Sequence, residues 1–170
     1  MNILSAEQII ELLNLQPLPM EGGYYRETYR AEDKILVDAL PDRYIDNKHF
    51  STAIYYFLTP DTFSAMHMLP TDEIYHFYLG DPVEQVRLYP DGKSEVVTLG
   101  SDIVNGELIQ TFVKADVWQG SRLMEGGSFA LMGTTMSPAF DFGDYVAGER
   151  DKLIEMYPDM KEWIMKLTRA

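Results

Sequence analysis

Two of the three histidines, His67 and His76, fall within residues 64–80 (SAMHMLPTDEIYHFYLG), together with the acidic pair Asp72 and Glu73. An imidazole and a carboxylate carried into one pocket by two strands and a tight turn can act as a general acid and base near neutral pH. The same pair can also contribute ligands to a divalent ion. Alternation along a strand puts Glu73, Tyr75, Phe77 and Leu79 on one face and Ile74, His76 and Tyr78 on the other. If His67 and Glu73 face inward together, His76 faces out, as an interface or supporting residue.

A carboxylate flanked by Tyr75 and Phe77 is desolvated, which raises its pKa unless a cation or hydrogen-bond donor compensates. The residues leave two readings open: Glu73 is an acid/base group with His67 as its partner, or it is a structural carboxylate paired with Arg26 or Arg87. It is equally open whether Met66, Met68 and Phe77 fill the pocket.

A second group with chemical potential is Glu21-Gly22-Gly23-Tyr24-Tyr25-Arg26-Glu27-Thr28-Tyr29-Arg30. The glycines permit positive φ or a close backbone approach. Simple alternation puts Tyr24, Arg26, Thr28 and Arg30 on one face, a polar wall for a sugar, nucleotide or carboxylate. Arg26 can grip an anion in bidentate fashion, and Arg30 reads as an edge-strand charge that blocks aggregation or pairs across a dimer. His49 lies in a polar loop and is expected to be solvated. The acidic residues of the 138–142 loop are expected to cap the C-terminal helix. Gly126-Gly127 lacks the spacing of a phosphate-binding loop, and no Ser-His-Asp arrangement follows from spacing.

The elements that must position these groups are mostly strands. Residues 5–15 read as a helix with a Ser5/Gln8 capping box and a Leu4/Ile9 staple, ended by Pro17 and Pro19. From 23 to 135 the chain runs as short β-branched and aromatic stretches separated by turns, with Pro90-Asp91-Gly92 marking a hairpin. This predicts an all-β sandwich or barrel rather than alternating βα units. Residues 151–157 and 158–168 read as helical, with Pro158 in a first turn. Leu153, Ile154, Tyr157, Trp163, Ile164 and Leu167 would then bury against the barrel or a partner subunit. One domain is expected over 1–170, with its C-terminal helical segment at 150–168.

Composition narrows the function classes. A net charge of −13 over 170 residues opposes nucleic-acid binding through a general basic surface and docking on anionic membranes. There is no cysteine, which removes disulfides, thiol nucleophiles and thiolate-bound zinc. The N-terminus lacks the pattern of a signal peptide and no stretch reaches membrane-span length; a cytoplasmic protein is expected.

Several motifs in order resemble one branch of the cupin superfamily, a branch of unknown function. They are Leu15 to Pro19, the EGGYYRET strand, TAIYYFL at 52–58, Ser64 to His67, the DEIYH motif at 72–76, Trp118-Gln119 and SPAFDF at 137–142. The resemblance implies an all-β fold with terminal helices, a double-stranded β-helix (jelly-roll) barrel, usually paired into a homodimer through edge strands. It also implies a fold-level similarity to sugar-nucleotide epimerases.

The family's four metal ligands would fall at His67, Leu69, Glu73 and Gln119, with Leu69 and Gln119 standing where histidines are usual. His67, Glu73 and Gln119 make a weak zinc site, better suited to manganese or magnesium. The alternative is a hydrogen-bonded polar cluster with no metal cofactor.

The expected function is binding of a small molecule, a sugar or small carboxylic acid, in the barrel. An isomerase or epimerase-like activity would use Glu73 and His67 as acid and base. Gln119 and Arg26 would orient the substrate, and Tyr75 and Trp118 would form an apolar wall. The alternatives are a non-catalytic binding or sensing module and a weakly metallated hydrolase or dioxygenase-like enzyme.

Overall fold

The computed structural model describes residues 4–169. The first helix, α1 (Ala6–Leu12), forms where the capping box expects it. Ser5 Oγ accepts from the Gln8 N–H, and Gln8 Oε1 accepts from the Ser5 N–H at 2.9 Å. It stops short of residue 15: Leu13 is the C-cap and Asn14 has a φ of 50°, a left-handed turn that asparagine tolerates.

Thirteen strands follow: β1 (Gln16–Pro17), β2 (Tyr24–Arg30), β3 (Lys34–Ile35), β4 (Lys48–His49), β5 (Thr52–Leu58), β6 (Phe63–Met68), β7 (Glu73–Gly80), β8 (Val83–Leu88), β9 (Ser94–Leu99), β10 (Gln110–Val113), β11 (Trp118–Leu123), β12 (Ala130–Met136) and β13 (Val146–Ala147). They form a six-stranded sheet, β1-β2-β5-β12-β7-β10, and a five-stranded sheet, β13-β6-β11-β8-β9, with β3-β4 as a separate ribbon. Neighbouring strands in these sheets run antiparallel. This is an all-β jelly roll with terminal helices. Strands lie on both sides of the 23–135 stretch, at 16–17 and 146–147.

The inner faces of the sheets meet in an apolar cluster that includes Tyr56, Leu58, Tyr75, Phe77, Val83, Leu123 and Met132. Alternate residues of the same strands face outward and are covered by helices. On the five-stranded sheet, Met66, Val86, Leu88 and Trp118 pack under α2 (Arg150–Met156) and α3 (Lys161–Lys166) through Leu153, Ile164 and Leu167. On the six-stranded sheet, Phe57 and Leu131 pack against Ile9 and Leu15 of the α1 region. No described helix is long and apolar enough to cross a membrane.

Two irregularities break simple alternation. In β2 the register against β5 shifts between Glu27 and Tyr29, leaving Thr28 as an extra residue. Where β7 pairs with β12, the register shifts at Leu131/Met132, leaving Tyr78 unmatched. A bulge re-aims every side chain beyond it. Leu79 is therefore 44% exposed, not a companion of Phe77 on the inner face.

Candidate functional site

The inward register of β6, β7 and β11 brings His67, Glu73, Tyr75 and Gln119 into the barrel, all of them buried. Gln119 lies opposite His67 in the β6-β11 ladder. The Tyr75 hydroxyl is 3.0 Å from both Glu73 Oε2 and Gln119 Oε1, and Gln119 Nε2 donates to Glu73 Oε2 at 2.8 Å. One phenolic proton cannot serve two acceptors at once. A proton on Glu73 Oε2 completes the ring, donating to Tyr75 while Tyr75 donates to Gln119. The electrostatics agree. Burial raises the Glu73 pKa above the ordinary carboxylate range, the Glu21 charge adds to this, and His67, Thr134 and Gln119 offset part of it.

His67 is held by its other ring nitrogen. Nδ1 is 2.7 Å from the Ala65 carbonyl, which can only accept, so Nδ1 carries the proton. In the neutral ring Nε2 is then a lone pair. Nε2 is buried and has no hydrogen-bond partner; it lies 4.0 Å from Glu21 Oε2. The ring stacks on Tyr145, with centroids 5.1 Å apart. Tyr145 adjoins β13, which pairs with β6 at Met68 and His67.

Glu21 enters the barrel because two glycines follow it. Gly22 and Gly23 have φ of 111° and 70°, and a Cβ on Gly22 would collide with the Phe63 carbonyl. The notch lets the chain lie against β6, where Ala65 N–H donates to the Glu21 carbonyl at 2.9 Å and Ser64 Oγ donates to its Oε1 at 2.5 Å.

A cavity of about 260 Å³ opens beside these groups. Glu21 and Glu73 border it together with Thr134, Leu69, Ile54 and Tyr25, and Glu27, Arg30, Phe140 and Phe142 also line it. Arg30 donates to Glu27 (2.8 Å) and to the Phe140 carbonyl (3.0 Å), and its Nη1 lies 3.5 Å from Asp141. Buried Lys48 holds Asp144 at 2.7 Å and Asp141 at 3.2 Å. Burial alone would lower the Lys48 ammonium pKa, but the two carboxylates outweigh it and hold it above the ordinary lysine value.

The 138–142 acidic loop is thus tied to Lys48 and Arg30. It does not cap α2, whose N-cap Glu149 makes no side-chain cap bond. His49 is likewise not solvated: it is half-buried, with Nδ1 2.6 Å from the Ala31 carbonyl.

The remaining residues singled out from the sequence separate clearly. Tyr75 is inside, but its hydroxyl makes it part of the polar ring. Arg26 is absent from the cavity lining; its guanidinium lies over the Tyr55 ring, 5.2 Å from the centroid. Trp118 packs under the C-terminal helices. Arg87 is inside, bonded to Gln85, Glu95 and Thr111. Neither Arg26 nor Arg87 forms an ion pair with Glu73 among the described residues. His76 points away from the cavity toward Thr135 and Gln110, as alternation requires. Met66 faces the helices and leaves the cavity open.

A family model described as "Cupin superfamily (DUF985)" matches residues 7–147. The chain belongs to this cupin family. An uncharacterised protein of Saccharomyces cerevisiae is 32% identical over 133 residues, covering 74% of this chain and 66% of the yeast protein, so the match spans just under two thirds of that relative. A hypothetical protein from Leishmania major superposes with a TM-score of 0.87 at 27% identity, covering 98% of this cupin and all of that chain. A protein from Shewanella oneidensis does so with a TM-score of 0.87 at 30% identity, covering 99% of both chains. Oxalate decarboxylase from Bacillus subtilis shares the fold at a TM-score of 0.54 and 15% identity, over 91% of this chain and 37% of that one.

The metal centre implied by the cupin fold does not fit this donor set. Leu69 presents hydrocarbon to the cavity where a second imidazole is usual. Gln119 Oε1 accepts from Tyr75, and Glu73 Oε2 is engaged by Tyr75 and Gln119. Of the family's four positions that leaves His67 Nε2 and the other Glu73 oxygen, short of the three or four ligands such an ion needs. Among the described residues no group of three or more His, Asp or Glu is arranged to hold a metal ion.

Proposed function

We propose that this cupin binds a small hydroxylated molecule in the barrel and moves protons on it, as an isomerase or epimerase does. Glu73 acts as the acid/base group, and His67 is its counterpart, working through Glu21. The observation that carries this reading is Glu73 itself: a cavity-lining carboxyl that pairs with no arginine or lysine among the described residues, favoured in its protonated form by burial and by a hydrogen-bond ring that a proton completes. Such a group can give a proton to a substrate near neutral pH. His67 presents a lone pair to the Glu21 carboxyl, so the proton that Glu73 gives up is balanced by one taken on the Glu21–His67 side.

The cavity's size favours a small ligand, since about 260 Å³ lies below the roughly 300–1,000 Å³ of drug-sized sites. Of the two ligand classes expected from the sequence, a sugar is the better match. Glu21, Glu27 and Glu73 all line the cavity, whereas Arg30 is already engaged by Glu27, so a carboxylic acid meets repulsion.

The test is a sugar panel screened by thermal shift, followed by NMR of any stabilising sugar for exchange or isomerisation. Glu73→Gln should lose about 10²–10⁴-fold in turnover at saturating sugar. Full turnover by that variant would sink the acid/base assignment.

The homodimer implied by the family resemblance belongs to the same proposal. Ile74, Ile109 and Phe112 are exposed along the β10 edge, and a second copy would cover them. Sedimentation of wild type against Phe112→Asp tests this; an unchanged sedimentation coefficient removes that edge from the interface.

A further inference from the structure

The inner end of the cavity gathers carboxyl groups, with the Thr134 hydroxyl as the donor beside Glu73. Glu21 accepts from Ser64 through Oε1 at 2.5 Å, and its Oε2 lies 4.0 Å from His67 Nε2. Glu73 commits Oε2 to Tyr75 and Gln119. His67 is 1% exposed, and its Nε2 has no partner. Among the described residues no lysine borders the cavity, and the one arginine that does, Arg30, is held by Glu27, Asp141 and the Phe140 carbonyl. A buried acceptor without a donor is costly, and the proton that burial and the Glu21 charge favour on Glu73 can be replaced there by the positive charge of a ligand.

Three aromatic rings, Tyr25, Phe140 and Phe142, share the lining with the aliphatic side chains of Leu18, Ile54, Leu69 and Met136. Aromatic faces and carboxylates together are the surroundings in which a desolvated cation is held best.

From this geometry we infer that the ligand of the barrel carries a protonated primary amine, seated between Glu21 and Glu73 with the aromatic rings around its carbon skeleton. The inference rests on the reading of the barrel as a small-molecule site and names the ligand's chemical class. An ammonium group brings three donors and a positive charge, and the cavity wall offers the Glu21 and Glu73 carboxyls to meet them, with His67 Nε2 behind Glu21. A neutral hydroxyl brings one donor and no charge. A carboxylate brings neither. On this account an amino sugar outcompetes the sugar of the same ring size.

The experiment uses the full chain dialysed against chelator and two matched series of probes: glucosamine, glucose and gluconate, and cyclohexylamine, cyclohexanol and cyclohexanecarboxylate. Thermal shift identifies binders and calorimetry measures their affinity. The amine of at least one series should bind at least tenfold more tightly than its alcohol and its carboxylate, about 1.4 kcal/mol. That preference should fall at least tenfold in Glu21→Gln. If Glu21→Gln does not fold, Glu73→Gln serves for the same comparison.

An alcohol or carboxylate that binds as well as its amine, with an affinity that changes in Glu73→Gln, overturns the amine while leaving the small-molecule site intact. A panel in which nothing binds in a Glu73-dependent way overturns both. Binding of added manganese or zinc that displaces the amine and is lost in His67→Ala would show that the acceptors serve a metal ion, and this too overturns the amine.

Discussion

Replacing Lys48 with methionine should be among the most damaging single changes outside the apolar core. The Lys48 side chain is 4% exposed, that of Asp144 is 12% exposed and that of Asp141 is 42% exposed. Removing one member of a buried ion pair leaves the other charge uncompensated, at a cost of about 3–5 kcal/mol. Asp141 keeps Arg30 as a neighbour and is half in solvent, so the stranded charge is that of Asp144. The expected loss is therefore about 3 kcal/mol, the lower end of that range. At roughly 2–4 °C per kcal/mol for a chain of this size, Tm falls by about 6–12 °C.

Urea unfolding followed by far-UV circular dichroism measures this directly. Lys48→Met/Asp144→Asn removes both charges and should recover at least half of the loss. The reasoning fails if Lys48→Met costs under about 1 kcal/mol, the value of an exposed pair, or if the double variant is no more stable than the single one.

Three further outcomes are expected. The folded state raises the Glu73 pKa, so the stabilisation from holding that proton is complete below the unfolded glutamate value of about 4.3 and is lost as pH rises through the folded value. Glu73→Gln should thus gain stability relative to wild type as pH increases, with a slope no steeper than about 1.4 kcal/mol per pH unit; a variant-minus-wild-type difference in urea midpoint that falls between pH 4 and 8 would contradict this. Trp118→Ala should cost about 3 kcal/mol, the lower end for a half-buried ring, through lost packing under the C-terminal helices, while leaving ligand affinity within twofold, about 0.4 kcal/mol; a tenfold affinity loss would return Trp118 to the cavity wall. Chelator treatment should leave Tm unchanged, and elemental analysis should find less than roughly 0.1 ion per chain, because the donor set is too short to hold one; a stoichiometric ion that disappears in His67→Ala would contradict this.

Local rules carried much of the fold. The Ser5/Gln8 capping box, the hairpin at residues 90–92 and the period-two runs all act within a few residues, and each appears as expected. The inward placement of Glu73 and Tyr75 and the outward placement of His76 also follow from alternation alone. That same rule separates Trp118 from Gln119 and Arg26 from Tyr25, since neighbours on a strand face opposite ways. What alternation could not supply was the bulge at Thr28, which puts Arg30 rather than Arg26 at the cavity. Glu21 was missed because it enters the barrel through a non-periodic notch between prolines and glycines. The Glu-Gly-Gly sequence was the available signal: two residues free of Cβ directly after a carboxylate. The acid of the 138–142 loop pairs with Lys48 instead of capping a helix, and Lys48 lies 93 residues before Asp141, beyond the reach of local pattern.

The placement of Trp118 has a spectroscopic consequence. The chain has two tryptophans, and both Trp118 and Trp163 lie in the cluster between the five-stranded sheet and the C-terminal helices. Intrinsic indole emission therefore reports how firmly those helices are seated and is blind to direct contact with a molecule in the barrel. Yet Trp118 is the backbone neighbour of Gln119, and Met66 that of His67. A change of emission on adding a ligand would signal mechanical transmission across one layer of sheet, from lumen to exterior, in a protein that carries its own unlabelled optical gauge.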